Sequence, residues 1–290
     1  MISEFKYYGP KTLKEALAIL EKLGDDYKII CGGQSLLIMM RQGIVQPDNL
    51  VNIKGIEELS YIKYDSNKAL KIGALTTHRK VEKSKDIMKS HPVICEMERK
   101  LATVQTRNWG TIGGNLAHAD PAGDPAPVLI SLNATLTLSS SKGDRTVPAD
   151  EFFNDYFDCD LRHGELLTEI TVPPVPANSG TAYTKFTLIE NEMATTAVAA
   201  SVKLASKDGV CEDVRIVMGA AAPIPKRAKE AEASLKGKKI TEALLKQAGE
   251  LAAEESEPLS DIHASEEYRR ELVKVLTKRV TAEALARAKK

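Results

Sequence analysis

Two glycine-centred segments hold the residue types that could do chemistry. The first is Ile29-Ile30-Cys31-Gly32-Gly33-Gln34-Ser35-Leu36. Paired glycines after an apolar run let the backbone turn sharply and approach a ligand with no Cβ in the way. Successive N–H groups in such a turn form an anion-binding concavity, and Gln34 and Ser35 add side-chain donors. Taken alone, the segment reads more readily as a plain strand-to-helix turn. The second segment, Arg107 to Asp124, packs four glycines, two asparagines, two aspartates and a histidine into 18 residues. A purely structural loop rarely needs so many backbone-permissive and hydrogen-bonding residues together. Two such turns could clamp both phosphates of a dinucleotide, with Asn115, Asp120 and Asp124 on sugar hydroxyls.

The familiar alternatives are missing. Neither turn extends to G-x-G-x-x-G, and no G-x-x-x-x-G-K-[ST] is present, so the common dinucleotide and phosphate-loop motifs are unsupported. No G-x-S-x-G nucleophile elbow occurs. That pattern suits a protein whose chemistry belongs to a bound cofactor. His118-x-Asp120 with Asp124 could be drawn as a metal site, but the surrounding prolines and glycines favour a loop contact, and no metal is expected. His78, His91, His163 and His263 stand apart in the sequence.

Lys plus Arg and Asp plus Glu both number 40, so the formal charge is zero, against a broad nucleic-acid or anionic-lipid footprint. At 290 residues, 43% hydrophobic and 28% charged, the chain has the composition of one large or two medium folded domains. No apolar run is long enough to span a membrane. The opening Met1-Ile2-Ser3-Glu4-Phe5-Lys6 lacks the order of a secretory signal, so a cytoplasmic location is expected. Cys31, Cys95, Cys159 and Cys211 form no C-x-x-C and are expected as reduced thiols.

The elements that must position the two turns can be read from periodicity. Leu13, Ala16, Leu17 and Leu20 share a helical face, with Thr12 as N-cap, Glu15 three residues on, and Gly24 as the stop. Strand signals follow at 27–31, 49–53 and 69–74, a helical segment at about 78–103, and further strands at 134–138 and 167–172. Pro173-Pro174-Val175-Pro176-Ala177-Asn178-Ser179-Gly180 reads as a stiff connector. Beyond it, 196–204 and 210–217 read as hairpin strands, and from about 226 the composition turns helical.

The pairing of Cys31-Gly32-Gly33-Gln34-Ser35 with Thr111-Ile112-Gly113-Gly114-Asn115 and Ala117 to Asp124 resembles the FAD-binding medium subunit of the molybdenum hydroxylases. That family includes aerobic carbon monoxide dehydrogenase, quinoline oxidoreductase and the flavin domain of xanthine dehydrogenase. The likeness runs over nearly the whole chain, including Ser260-Asp261-Ile262-His263-Ala264-Ser265 and Tyr268-Arg269-Arg270. It implies an α+β fold: a two-subdomain α/β FAD-binding domain of the vanillyl-alcohol-oxidase-like kind at 1–176, divided at about residue 55. A C-terminal flavoprotein domain at 177–290 would add a three-stranded antiparallel sheet and a small helical bundle. By match to the family, Gly32, Gly33, Gln34 and Ser35 and Thr111, Ile112, Gly113, Gly114 and Asn115 would hold the FAD pyrophosphate, with Ile29, Ile30, Cys31 and Leu36 also at the cofactor. His118, Asp120, Gly123 and Asp124 would line the cofactor, Leu167 would lie near it, and Lys185 would approach the flavin ring as the residue that tunes it. Gly73-Ala74-Leu75-Thr76 resembles another family turn near the ring.

The resemblance implies an oxidoreductase subunit that takes electrons from a [2Fe-2S] small subunit, served by a molybdopterin-binding large subunit, and passes them from FAD to NAD, a quinone or another carrier. One departure stands out: where the family commonly has an arginine, then an acid followed by an aromatic or aliphatic residue, this chain has Ile189, Glu192 and Met193. Two rival readings remain at this stage, a stand-alone FAD oxidoreductase and a non-enzymatic nucleotide-binding scaffold. The cysteine-bearing insertion of the 4-hydroxybenzoyl-CoA reductase branch is absent.

Overall fold

In the computed structural model, residues 3–290 are described; Met1 and Ile2, part of the run read against a secretory signal, lie outside them. The chain begins with β1 (Lys6–Tyr8), α1 (Leu13–Leu23), β2 (Lys28–Ile30), α2 (Leu36–Arg41) and β3 (Asn49–Asn52). These strands form a parallel sheet in the order β1-β3-β2, as β-α-β crossovers require. Helix α1 starts where the sequence places it. The Thr12 hydroxyl accepts from Glu15 N at 3.2 Å, while the Glu15 carboxylate accepts from Lys11 N rather than from Thr12 itself. Ala16, Leu17 and Leu20 are its buried stripe, packed with Val51, Ile53 and Ile56.

A second layer follows: β4 (Ile62–Tyr64), β5 (Leu70–Gly73), α3 (His78–Lys83), α4 (Lys85–Ser90), α5 (Pro92–Lys100), α6 (Val104–Trp109), α7 (Ile112–His118) and α8 (Pro125–Ser131). It is completed by β6 (Thr135–Ser140), β7 (Gly143–Pro148), β8 (Phe153–Asp155), β9 (Asp158–Cys159) and β10 (Leu166–Val172). The five-stranded sheet β4-β5-β10-β6-β7 is antiparallel at every pairing, and its core runs through Ile72, Leu136, Leu138 and Ile170 to Ile94 and Met97 of α5. The helical segment expected over 78–103 is three helices. Ser84 turns extended and caps Ile87 N, and Pro92, which cannot donate to a helix interior, opens the third.

After the proline connector come β11 (Ser179–Phe186), β12 (Thr196–Leu204), β13 (Cys211–Gly219), β14 (Lys226–Arg227), α9 (Lys229–Leu235), α10 (Glu242–Glu255) and α11 (Glu266–Ala288). The sheet is antiparallel in the order β11-β12-β13-β14, so the three long strands gain a two-residue fourth beside Val217 and Met218. Its sequence signal is weak because Pro223 and Pro225 interrupt the run before it. Helix α11 packs on β11 and β12, burying Val273, Leu276, Val280 and Ala284 with Val198 and Ala200.

Candidate functional site

The two glycine segments meet. The first leaves β2, turns through Cys31 to Ser35 and enters α2. Gly33 sits at φ 69°, where a side chain is strained. A Cβ on Gly32 would lie 2.7 Å from both Gly110 Cα and Trp109 O, so the neighbouring loop fills that space. The Cys31 thiol and the Thr111 hydroxyl are 3.1 Å apart, and a Cβ on Gly114 would lie 2.7 Å from Cys31 Sγ.

The two turns differ in what their backbones offer. Around α7 the amides are consumed inside the protein: Ile112 N donates to Thr76 O, Gly113 N to Ala74 O at 2.9 Å, and Gly114 N to the Thr111 hydroxyl. A Cβ on Gly113 would lie 2.5 Å from Ala74 Cβ, so this glycine lets α7 seat against the turn after β5. By contrast, the N–H groups of Gly32, Gly33, Gln34 and Ser35 meet no acceptor among the described residues. Four consecutive free donors at a helix entrance form the kind of concavity that binds phosphate oxygens.

A buried ionic cluster lies further along the same loop. Lys185 Nζ is 2.9 Å from Asp124 Oδ2, with side-chain exposures of 5% and 6%. The same ammonium donates to Glu192 O at 2.9 Å, and the Tyr183 hydroxyl donates to Asp124 Oδ1. Tyr183 and Lys185 are two apart on β11 and so share a face. Burial pushes the Asp124 carboxyl above its ordinary value, against the pull of Lys185 and Tyr183. Burial, with Asp124 alongside, holds the Tyr183 phenol protonated. Beside this cluster the fully buried Glu98 accepts from His78 Nδ1 at 2.9 Å, and burial again raises the carboxyl.

Other residues of the second segment serve the loop itself. Arg107 is buried, bonded to Glu82 and to the carbonyls of Leu101 and Ala102. Asp120 accepts from Ala122 N, and Gly123 N donates to Asp120 O. The Asn115 carboxamide lies over Gly123, within 3.1 Å of where a Cβ would stand. His118 ends α7 with its ring 5.3 Å from Phe157. Ile29 and Ile30 are partly buried in β2, Leu36 opens α2, and Leu167 is buried in the sheet opposite Leu138. Ile189 and Met193 are exposed on the β11–β12 loop. Among the described residues, no three His, Cys, Asp or Glu side chains gather as metal ligands would.

Residues 3–175 match the family model for the FAD binding domain in molybdopterin dehydrogenase, and residues 181–284 match the CO dehydrogenase flavoprotein C-terminal domain. The chain is 39% identical to the glyceraldehyde dehydrogenase medium chain of Sulfolobus acidocaldarius, over 94% of this chain and 96% of that one. Among solved structures it is similar to carbon monoxide dehydrogenase from Hydrogenophaga pseudoflava, with TM-score 0.95 and 34% identity over 99% of each chain. It is similar also to quinoline 2-oxidoreductase from Pseudomonas putida 86, with TM-score 0.92 and 33% identity over the full length of both chains. The chain belongs to the FAD-binding medium subunits of the molybdenum hydroxylases.

As a medium subunit, the protein is an oxidoreductase component whose cofactor is FAD. The residues present fit that group. Free N–H donors line the first turn, Gly32 and Gly113 let that turn and α7 seat closely against their neighbours, and a buried cation lies in the same loop system. No described helix of the medium subunit is long and apolar enough to cross a membrane. Motif reading missed Tyr183, Glu98 and His78. Only Tyr183 carried a signal, its two-residue spacing from Lys185 on a strand.

Proposed function

We propose that this medium subunit is the electron-transferring flavoprotein of a molybdopterin-dependent hydroxylase or dehydrogenase complex. It takes electrons from a [2Fe-2S] small subunit, served in turn by a molybdopterin-binding large subunit. It delivers them to an external acceptor such as NAD, a quinone or another carrier. One observation carries this reading: the chain matches medium chains of such enzymes along both its FAD-binding and its C-terminal parts, over nearly their whole length. The free thiols of Cys31, Cys95, Cys159 and Cys211 support a cytoplasmic location.

FAD, when bound, supplies a ring system that accepts and releases electrons singly or in pairs. The chain's own residues bind it and set the charge around it. The amides of Gly32 to Ser35 bind the pyrophosphate, with Ile29, Ile30, Cys31 and Leu36 shaping the turn. Thr111 to Asn115 pack the second turn against the first and present the Asn115 side chain. His118, Asp120, Gly123, Asp124 and Leu167 complete the cofactor's surroundings. Lys185 is the tuning residue: a desolvated cation stabilises nearby negative charge, and Asp124 and Glu192 O fix where that cation stands.

Purifying the tagged chain from its native host tests this reading. Large and small partners should copurify, and the oxidised flavin should bleach on mixing with the reduced small subunit. A chain that purifies without partners and reduces a small molecule unaided would overturn the proposal in favour of a stand-alone oxidoreductase.

A further inference from the structure

Arg269 has no part in the reading above, yet its guanidinium reaches both strand ends that serve the site. It projects from α11, is 6% exposed, and donates through Nη1 to Thr195 O and to Ala220 O, the latter at 3.5 Å. Its Nη2 donates to Asp261 Oδ2 at 2.6 Å, and the same carboxylate caps its own loop by accepting from His263 N and Ala264 N.

Each carbonyl leads to a site residue. Thr195 ends the β11–β12 loop, where its N–H donates to Phe186 O and closes the hairpin. Inside that loop Glu192 O accepts from Lys185 Nζ. Ala220 follows β13 at φ 53°, and its N–H donates to Pro121 O at 2.8 Å. Pro121 belongs to the segment between Asp120 and Asp124. A single buried cation thus joins the backbone that receives Lys185 to the backbone that anchors the Asp124 loop. An apolar side chain in its place would leave the Ala220 carbonyl without a donor and the Thr195 carbonyl with the Thr196 hydroxyl alone.

We infer that Arg269 is a positioning residue of the FAD site. It sets the Lys185–Asp124 pair in place by pinning Thr195 and Ala220 from the C-terminal helix. The inference rests on the site reading above.

The test uses the full-length chain with three readouts: FAD dissociation constant, flavin midpoint potential, and the thermal midpoint of the apo chain. Arg269→Met is expected to weaken FAD binding by roughly tenfold, as loss of a charge-assisted hydrogen bond does, and to shift the potential. Arg269→Lys, which restores a donor, should recover most of both losses. Arg269→Met that folds and keeps wild-type affinity and potential overturns the inference. Affinity that Arg269→Lys does not rescue overturns it too. If Arg269→Met does not fold, Asp261→Asn decides, because its half-exposed carboxylate can change without emptying the core. A measurable loss of affinity and a shifted potential then support the role, and wild-type values overturn it. Lys185→Met separates the two levels. If it moves neither affinity nor potential, the site reading itself fails. If it moves them and the Arg269 and Asp261 variants do not, only the positioning role fails.

Discussion

Gly32 and Gly110 touch backbone to backbone: a Cβ on the first would stand 2.7 Å from the Cα of the second. The contact locks the two glycine turns into one unit, and the N–H groups of the first meet no acceptor among the described residues. It also makes the pair sensitive to a single methyl group.

Gly32→Ala should therefore push the turns apart, costing about 1–3 kcal/mol of stability and weakening FAD binding. Gly24→Ala is the control. Gly24 has φ 64° with nothing within 4 Å of its Cβ position, so the change adds backbone strain at a distance from the turn. Thermal melts and FAD titrations of both should separate: each loses stability, and only Gly32→Ala loses cofactor. Equal FAD affinity in the two variants would contradict the clamp.

Removing the Lys185 ammonium leaves Asp124 as a buried carboxylate held only by Tyr183. Breaking a buried pair on one side typically costs about 3–5 kcal/mol, largely from the stranded charge. Lys185→Met should show a loss of that order in denaturant melts. Adding Asp124→Asn should restore much of it, because the stranded charge is gone. A double variant no more stable than Lys185→Met would show that the pair is not coupled.

His91 gives stability a pH dependence above the carboxylate range. Its Nε2–H donates to Pro173 O at 2.9 Å, and burial holds its pKa below the ordinary 6.5, against the pull of that carbonyl. The unfolded chain therefore takes up the proton first. The contribution is complete above about pH 6.5 and is lost as pH falls from there toward the folded-state value. Denaturant midpoints should decline over that window, and His91→Gln should flatten the decline. An unchanged slope in the variant would assign the effect elsewhere.

Trp109 is the single tryptophan of the chain, half-exposed, with Lys54 Nζ 3.6 Å above its ring and its carbonyl against Gly32. Its fluorescence should report directly on the first turn. FAD added to the apo chain should quench it in step with binding, and Gly32→Ala should move the quenching curve to higher FAD. Quenching absent at saturating FAD would place the cofactor away from the Gly32 turn.

Much of this molecule was legible in its residues. The Thr12 cap, the Gly24 stop, the β12 strand and both glycine turns follow from rules that reach only a few positions along the chain. So did the site segments, whose density of Gly, Asn and Asp marks them before any fold is known. The short β14 was less legible, because two residues carry no periodicity. The breaks after α3 and α4 hid within a continuous helical pattern, although Ser84 and Pro92 mark them.

What the sequence by itself determined is therefore local: where the backbone can turn, where helices begin, and which residue types gather in two loops. Which amides of those loops stay free was decided only in three dimensions. The first α7 amides are taken by Thr76 and Ala74, which belong to a different turn, while those of Gly32 to Ser35 meet no acceptor among the described residues. Asp124 meets Lys185 across 61 positions because α8 and β11 share one hydrophobic core, and Arg269 reaches Thr195 across 74. Such pairings are fixed by packing the apolar faces of distant elements at crystal-like density, which no short-range pattern encodes.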